Sequence, residues 1–288
     1  MSRYTDRRWS LSVEDEVLIE ETSGRQFKCT FTILHDFGGF TSYAEINLYN
    51  LTDDTINRMF KRGKSLTFRA GYSDSIDTIF KGTIRNVFPE RRGPDKITKV
   101  ICRGGKLAVD QSQINQTLGA NTQLVDIIRA CGTSMGYPIV IDDSQFGDIA
   151  PYPYGYTLQG DPRTYLDELA QTHGFDYVVE NERLVVVRQG YTRQGTVNVI
   201  SQFTGMEGIP EISEVGVDVV TRLNPKLRIG GRFRIESDLA TFNFSNLYFR
   251  DVPESAGQGE HKIIKIEYTG DTWGDAWSNK IFGLRIRT

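Results

Sequence analysis

The 288-residue sequence predicts a mainly β protein in which two strand-rich end regions flank a small α+β middle. Apolar and polar residues alternate with period two from about Trp9 to Gly105 and again from Tyr191 onward, the pattern of strands with one buried face. Helical spacing with clear start and stop signals is concentrated between those regions. The stretch from Tyr43 to Gly105 reads as a strand, one short helix and three more strands, with no titratable cluster inside it. The expected domains are residues 1–107, 108–190 and 191–288, and each end domain, built of several closely spaced strands, is expected to be a barrel or sandwich.

In the first region, Phe37-Gly38-Gly39-Phe40 supplies a turn between strands around Phe27–Leu34 and Tyr43–Tyr49. A helix follows. Thr52 is its N-cap, Asp53 and Asp54 suit the positive end of the helix dipole, Leu51 staples onto Ile56, and Gly63 ends it. Ile56, Met59 and Phe60 then cover the sheet. Leu66, Phe68 and Ala70 alternate against Thr67 and Arg69, and Phe80, Gly82 and Ile84 against Lys81, Thr83 and Arg85.

In the middle region, Leu124, Ile127, Ile128 and Cys131 lie at helical spacing, with Gly132 expected as the left-handed C-terminal residue. A second helix is capped by Asp161, starts at Pro162, turns Leu166, Leu169 and Ala170 inward and stops at Gly174. Phe175–Val179 and Arg183–Val187 then form a hairpin. The third region returns to strands: Phe233 and Ile235 alternate with Arg232, Arg234 and Glu236, and Ile264, Ile266 and Tyr268 with Lys265 and Glu267. Gly63 before LTFRAGY and Gly231 before RFRIES mark equivalent strands, and DVPESAGQGE at 251–260 reads as an exposed loop.

The formal charge of −3 and the charged fraction of 25% argue against a basic nucleic-acid-binding surface. Cys29, Cys102 and Cys131 are odd in number and widely spaced, so neither a disulfide framework nor a zinc site is expected. The N-terminal residues lack the apolar core of a signal peptide, and no stretch approaches the roughly 18 apolar residues of a membrane span. A reduced cytosolic setting without a membrane anchor is expected.

No catalytic, cofactor-binding or metal residues are assigned. Gly63-Lys64-Ser65 resembles the end of a phosphate loop, but Arg58 stands where that motif needs its first glycine, and the order is helix, loop, strand instead of strand, loop, helix. His35, His173 and His261 have no partner at metal-ligand spacing and no nucleophile frame; His173, in the last turn of a helix, suits the dipole as a partly positive group. Glu14 with Glu16, Asp53 with Asp54, and Asp142 with Asp143 are placed as solvated surface. FNFSNLYF at 242–249, beside Arg250, reads as a core strand instead of a base-stacking platform.

The chain resembles the central baseplate hub proteins of contractile-tailed phages, related to the phage late control protein D group and to the hub part of type VI secretion spikes. The resemblance rests on AEINLYNLTDDTINRM, LTFRAGY and IFKGTIRNVFP in the first region and on GIPEISEVGVDVVTRLNPKLRIGGRFRIES in the third. The ending EYTGDTWGDAWS is similar to a family pattern carried by Gly270, Asp271 and Trp277, with Tyr268 in place of its histidine and Ser278 in place of its threonine.

That resemblance implies two tail-tube-like β-barrel domains with a small α+β middle domain, and a homotrimer whose pseudo-sixfold ring adapts a hexameric tail tube to a trimeric central spike beside other baseplate proteins. It implies transient passage of DNA through the lumen, with no cofactor and no membrane anchor, in a virion assembled in the host cytoplasm. Arg69, Lys81, Arg85, Arg232, Arg234, Arg285 and Arg287 are the candidate outward charges. The alternatives are a baseplate-associated cell-wall-degrading enzyme, for which the middle region is the only room, and a single-stranded nucleic-acid-binding module.

Overall fold

The computed structural model describes residues 6–23, 28–73, 75–105, 112–213, 216–237, 241–243 and 259–286. The first end region contains β1 (Arg7–Val13), β2 (Glu16–Ser23), β3 (Cys29–Asp36), β4 (Tyr43–Tyr49), α1 (Asp53–Met59), β5 (Ser65–Tyr72), β6 (Asp77–Arg92) and β7 (Asp95–Arg103). The middle holds β8 (Ile114–Leu118), α2 (Leu124–Ser134), β9 (Ile139–Val140), a 3-10 turn at Asp143–Phe146, β10 (Tyr156–Gly160), α3 (Pro162–His173), β11 (Phe175–Glu180) and β12 (Arg183–Arg188). The last region contains β13 (Asn198–Ser201), β14 (Met206–Ser213), β15 (Val217–Arg222), β16 (Arg232–Glu236), β17 (Thr241–Asn243), β18 (Gly259–Asp271) and β19 (Trp277–Arg285).

Mainly β is the outcome, but the sheet is not two separately closed walls. One strand path runs β17-β14-β15-β19-β18-β3-β4-β7-β6-β5-β1-β2, with β16 also on β18 and β13 on β16, and no barrel closes among the described residues. β18 makes this continuity possible because it is long enough to serve two neighbours on one edge. Gly259–Lys262 pair with β16, and after a bulge Lys265–Asp271 pair with β3. The two end regions therefore share a hydrogen-bonded sheet and one apolar cluster.

The two ends also repeat each other. β3, β4, β5, β6 and β7 are joined in the same antiparallel order as β14, β15, β16, β18 and β19. The bulge between Ile84 and Asn86 in β6 matches that between Ile263 and Lys265 in β18. Gly63 N–H donates to Ile84 O and Ile84 N–H to Lys64 O, while Gly230 N–H donates to Ile263 O and Ile263 N–H to Gly231 O. Gly230, not Gly231, is therefore the counterpart of Gly63, and both have positive φ, 74° and 93°.

Local signals explain most elements. Thr52 Oγ1 accepts from Thr55 N–H at 3.3 Å at the start of α1, whose Met59 is buried; the helix ends at Phe60, so Gly63 belongs to the following turn. α3 has Asp161 as N-cap and Gly174 at φ 66° as its left-handed stop. α2 does not end at Gly132. It continues to Ser134, and Gly136 at φ 75° takes the left-handed turn instead. Gly132 is small for packing, since a Cβ there would lie 2.6 Å from Ile139 and 3.0 Å from Leu184. In β18 Ile266 and Tyr268 point into the core as expected, while the bulge puts Ile263 there and leaves Ile264 half-buried.

The three cysteines are buried thiols in β3, β7 and α2. Burial raises all three, pushing Cys131 up to about 12. Among the described residues no helix is long and apolar enough to cross a membrane. Residues 244–250 of the aromatic stretch, 251–258 of the expected loop, the boundary around 106–111 and Arg287 lie outside the described residues.

Candidate functional site

The feature with the reach to act on another molecule is the polar face of the continuous sheet. Along β3, Cys29, Phe31, Ile33 and His35 point into the core while Thr30, Thr32, Leu34 and Asp36 point away, as the two-residue strand period requires. The pairing registers carry that polarity across strands. One row runs Val220, Lys280, Glu267, Leu34, Tyr43, Arg103; another runs Arg222, Ser278, Thr269, Thr32, Glu45, Ile101. Each row crosses from the last region into the first without a break.

Charge on this face is mixed. Asp36, Glu45, Asp218, Glu267 and Asp271 share it with Lys99, Arg103, Arg222, Lys265 and Lys280, and cross-strand neighbours include Lys280 with Glu267 and Lys265 with Asp36. Lys99 Nζ lies 3.1 Å from Glu45, and that hydrogen bond raises the lysine pKa. Such a wall mixes both signs instead of presenting a continuous cationic lining to phosphate. Of the cations singled out from sequence, Lys81 and Arg69 continue this face onto β6 and β5, with Lys81 2.8 Å from Glu182, while Arg232 and Arg234 hold Glu260 at 3.1 and 2.8 Å. The continuity of this face across the two end regions rests on strand pairings that are non-local in sequence.

The Gly270-Asp271-Trp277 pattern proves to be a packing device. Gly270 faces Phe31, and a Cβ there would sit 2.3 Å from the ring. Asp271 Oδ1 accepts from Trp273 N–H at 2.8 Å and Gly274 N–H at 2.9 Å, folding the β18–β19 connection. Arg7 donates to Gly274 O at 2.6 Å and lies over the Trp277 ring, whose centroid is 5.4 Å from that of Phe31. Tyr268, which replaces the pattern's histidine, donates to Leu227 O at 2.5 Å.

The middle region is fastened to both ends. In the β11–β12 hairpin, Asn181 and Glu182 have positive φ, the geometry of a two-residue turn, and Asn181 Oδ1 accepts from Lys81 N–H at 2.8 Å. Ser42 N–H donates to Val179 O at 3.3 Å. Lys262, 4% exposed, sits 2.8 Å from Asp176, and Arg228 sits 2.8 Å from Asp77. Burial lowers the Lys262 pKa, opposed by Asp176. These ties cross all three regions.

The histidines are structural. Ile79 O can only accept, so His35 donates Nε2–H to it at 2.9 Å; Nδ1 lies 2.6 Å from Ser42 Oγ, and burial lowers the His35 pKa. Tyr152 OH and His173 Nε2 are 2.8 Å apart, and burial lowers the His173 pKa, which works against the partly positive group expected at this helix end. His261 stacks on Phe233 and burial lowers its pKa to about 4. Lys64 of the Gly-Lys-Ser stretch lies 3.4 Å from Glu14 and donates to Arg58 O, Asp142 caps the 3-10 turn, and Asp143 pairs with Arg129. No His, Cys, Asp and Glu cluster suited to a metal occurs among the described residues.

A sequence profile of the family described as "Baseplate hub gp41" matches residues 42–243. No curated protein matches the chain by sequence. Among solved structures, the 43 kDa tail protein of prophage MuSo2 from Shewanella oneidensis is 12% identical with a TM-score of 0.62, over 97% of this chain and 98% of that one. A tail protein from Neisseria meningitidis is 9% identical with a TM-score of 0.63, over 97% of each chain. An E. coli component of the type VI secretion system, itself similar to T4 bacteriophage tail proteins gp27 and gp5, is 10% identical with a TM-score of 0.60, over 96% of this chain and 77% of that one. At such identities these likenesses establish the fold.

Proposed function

The chain belongs to the baseplate hub gp41 family, and from that premise we propose that three copies form a ring on the tail axis that joins a hexameric tail tube to a trimeric spike. It is a structural, non-enzymatic component of the phage tail baseplate and so part of the virion. In this reading residues 1–107 and 191–288 act as two tube-like barrel units whose walls are completed by neighbours, and 108–190 is a middle domain braced against both. Assembly in the host cytoplasm fits the buried thiols.

The observation that carries the reading is the repeat of one five-strand unit within the chain, already joined edge to edge through β18 and β3. Three chains then supply six similar units, so the same ring meets sixfold symmetry on one side and threefold on the other. The mixed charge of the polar face supports a role as the wall of a conduit for the genome, because a strongly cationic lining would hold the DNA it must release. The cross-region ties support a rigid adaptor.

Light scattering of the isolated chain, with class averages of the particles and of purified tails, tests this. The expected result is the mass of three chains and a six-lobed threefold ring. A monomer at every concentration together with no threefold ring in tails overturns it.

A further inference from the structure

The internal repeat shows which edges are already joined within one chain and which counterparts are left open. From Lys265 to Asp271, β18 is paired on both sides, with β19 and with β3. Its counterpart β6 pairs with β7 from Asn86 to Arg92, but β5 reaches only to Thr83, so that length of β6 has no strand on its other side among the described residues. The counterpart of β3 is β14. Its outer edge carries only the three residues of β17, at Glu211–Ser213, and no described strand at Met206–Pro210.

We propose that the ring closes by pairing the Asn86–Arg92 edge of β6 in one copy with β14 of the next copy, reproducing between chains the β18–β3 junction found within each. The inference rests on the ring reading and adds the surface that makes it. Such a contact is head-to-tail: each chain offers one edge of each kind, and closure after three copies leaves neither edge open. β17 occupies part of the β14 edge in the single chain and gives way to the longer strand.

The side chains at the two edges suit this pairing. Phe88 on β6 is 47% exposed, and beside β14 Ile209 and Phe203 are 52% and 86% exposed around a groove that Met206 also lines. Both apolar groups lose water on pairing. Carrying the β18–β3 register onto the open edges sets Phe88 opposite Ser213, and Arg92 faces the end of β14 toward Glu207, across the β14 register shift between Glu207 and Glu211. It also sets Glu90 opposite Glu211, where Lys99 and Arg92, each 3.8 Å from Glu90, offset the repulsion. Pro89 leaves the ladder one donor short.

The test introduces Phe88→Cys and Ser213→Cys together into the full chain, assembled in tails; directly opposed residues in a ladder lie within disulfide reach. Cys29, Cys102 and Cys131 are buried and give little background. Mild oxidation should yield a band series ending at three chains, absent from either single variant. In parallel, Arg92→Glu should weaken association about fivefold, with Glu207→Arg restoring it. Intact threefold rings without the cross-link, and without charge rescue, overturn the edge assignment alone. Absence of any threefold ring overturns the ring reading as well.

Discussion

Gly270→Ala should destabilise the chain although it adds a single methyl group, because that methyl enters the joint between the two end regions. A Cβ at this position lies 2.3 and 2.4 Å from two carbons of the Phe31 ring and 2.9 Å from Trp277, whereas non-bonded carbons settle at about 3.5–4.0 Å. The ring must retreat by about 1 Å or more. It has little room: Phe31 is 2% exposed, and its centroid is 4.7 Å from Phe68 and 5.4 Å from Trp277. Overpacking of this kind costs about 1–3 kcal/mol, and the reduced freedom of the unfolded alanine chain returns about 0.4–1. The expected net loss is about 1 kcal/mol. Urea unfolding of wild type, Gly270→Ala, Phe31→Leu and the double variant measures it. Phe31→Leu removes the ring edge that the methyl strikes, so the double variant should be more stable than additivity predicts by about 1 kcal/mol. Wild-type stability for Gly270→Ala, or additive losses, would refute the packing argument.

Removing Asp176 as Asp176→Ala leaves the Lys262 ammonium buried without its carboxylate and should cost about 3–5 kcal/mol, whereas replacing both partners by apolar residues should cost less; thermal or urea midpoints separate the two. Asn181→Ala loses the bond to Lys81 N–H and places a Cβ residue without a polar side chain at φ 50°, for an expected loss of about 1–2 kcal/mol that Asn181→Gly should partly recover on the backbone side. His261 has a folded pKa of about 4 against an unfolded value near 6.5, so the unfolded state takes the proton first and stability falls as pH drops through that interval. Relative to wild type, His261→Phe should therefore gain up to about 3 kcal/mol between pH 7 and pH 4, and an unchanged difference across that range would contradict the assignment.

What the sequence makes legible follows from how local each signal is. Asp161, Pro162 and Gly174 define α3 because caps act within one turn, and Leu66, Phe68 and Ala70 define the buried face of β5 because strand alternation is equally local. Gly132 misled because a glycine needed for space looks the same as one needed for a left-handed turn, and only the approach of Ile139 and Leu184 separates them. The β18 bulge hid the place of Ile264 because an extra residue breaks the two-residue alternation there, although Ile266 and Tyr268 beyond it point inward as expected. The continuity of the polar face was illegible for a stronger reason: Thr32 meets Thr269 across more than 200 positions of chain, and no periodicity reports such a pairing. The echo of Gly63 before LTFRAGY was the one trace of the repeat, displaced by a single residue from the hydrogen-bonded equivalence with Gly230.

The most direct test of the central claim is a reconstruction of the hub in assembled tails at a resolution that separates strands. A continuous wall should be seen in which three copies alternate an internal β18–β3 seam with a β6–β14 seam between copies, and in which Lys99, Glu45, Lys265 and Glu267 face the axis. A single copy on the axis, or three copies whose sheets do not meet, would contradict it.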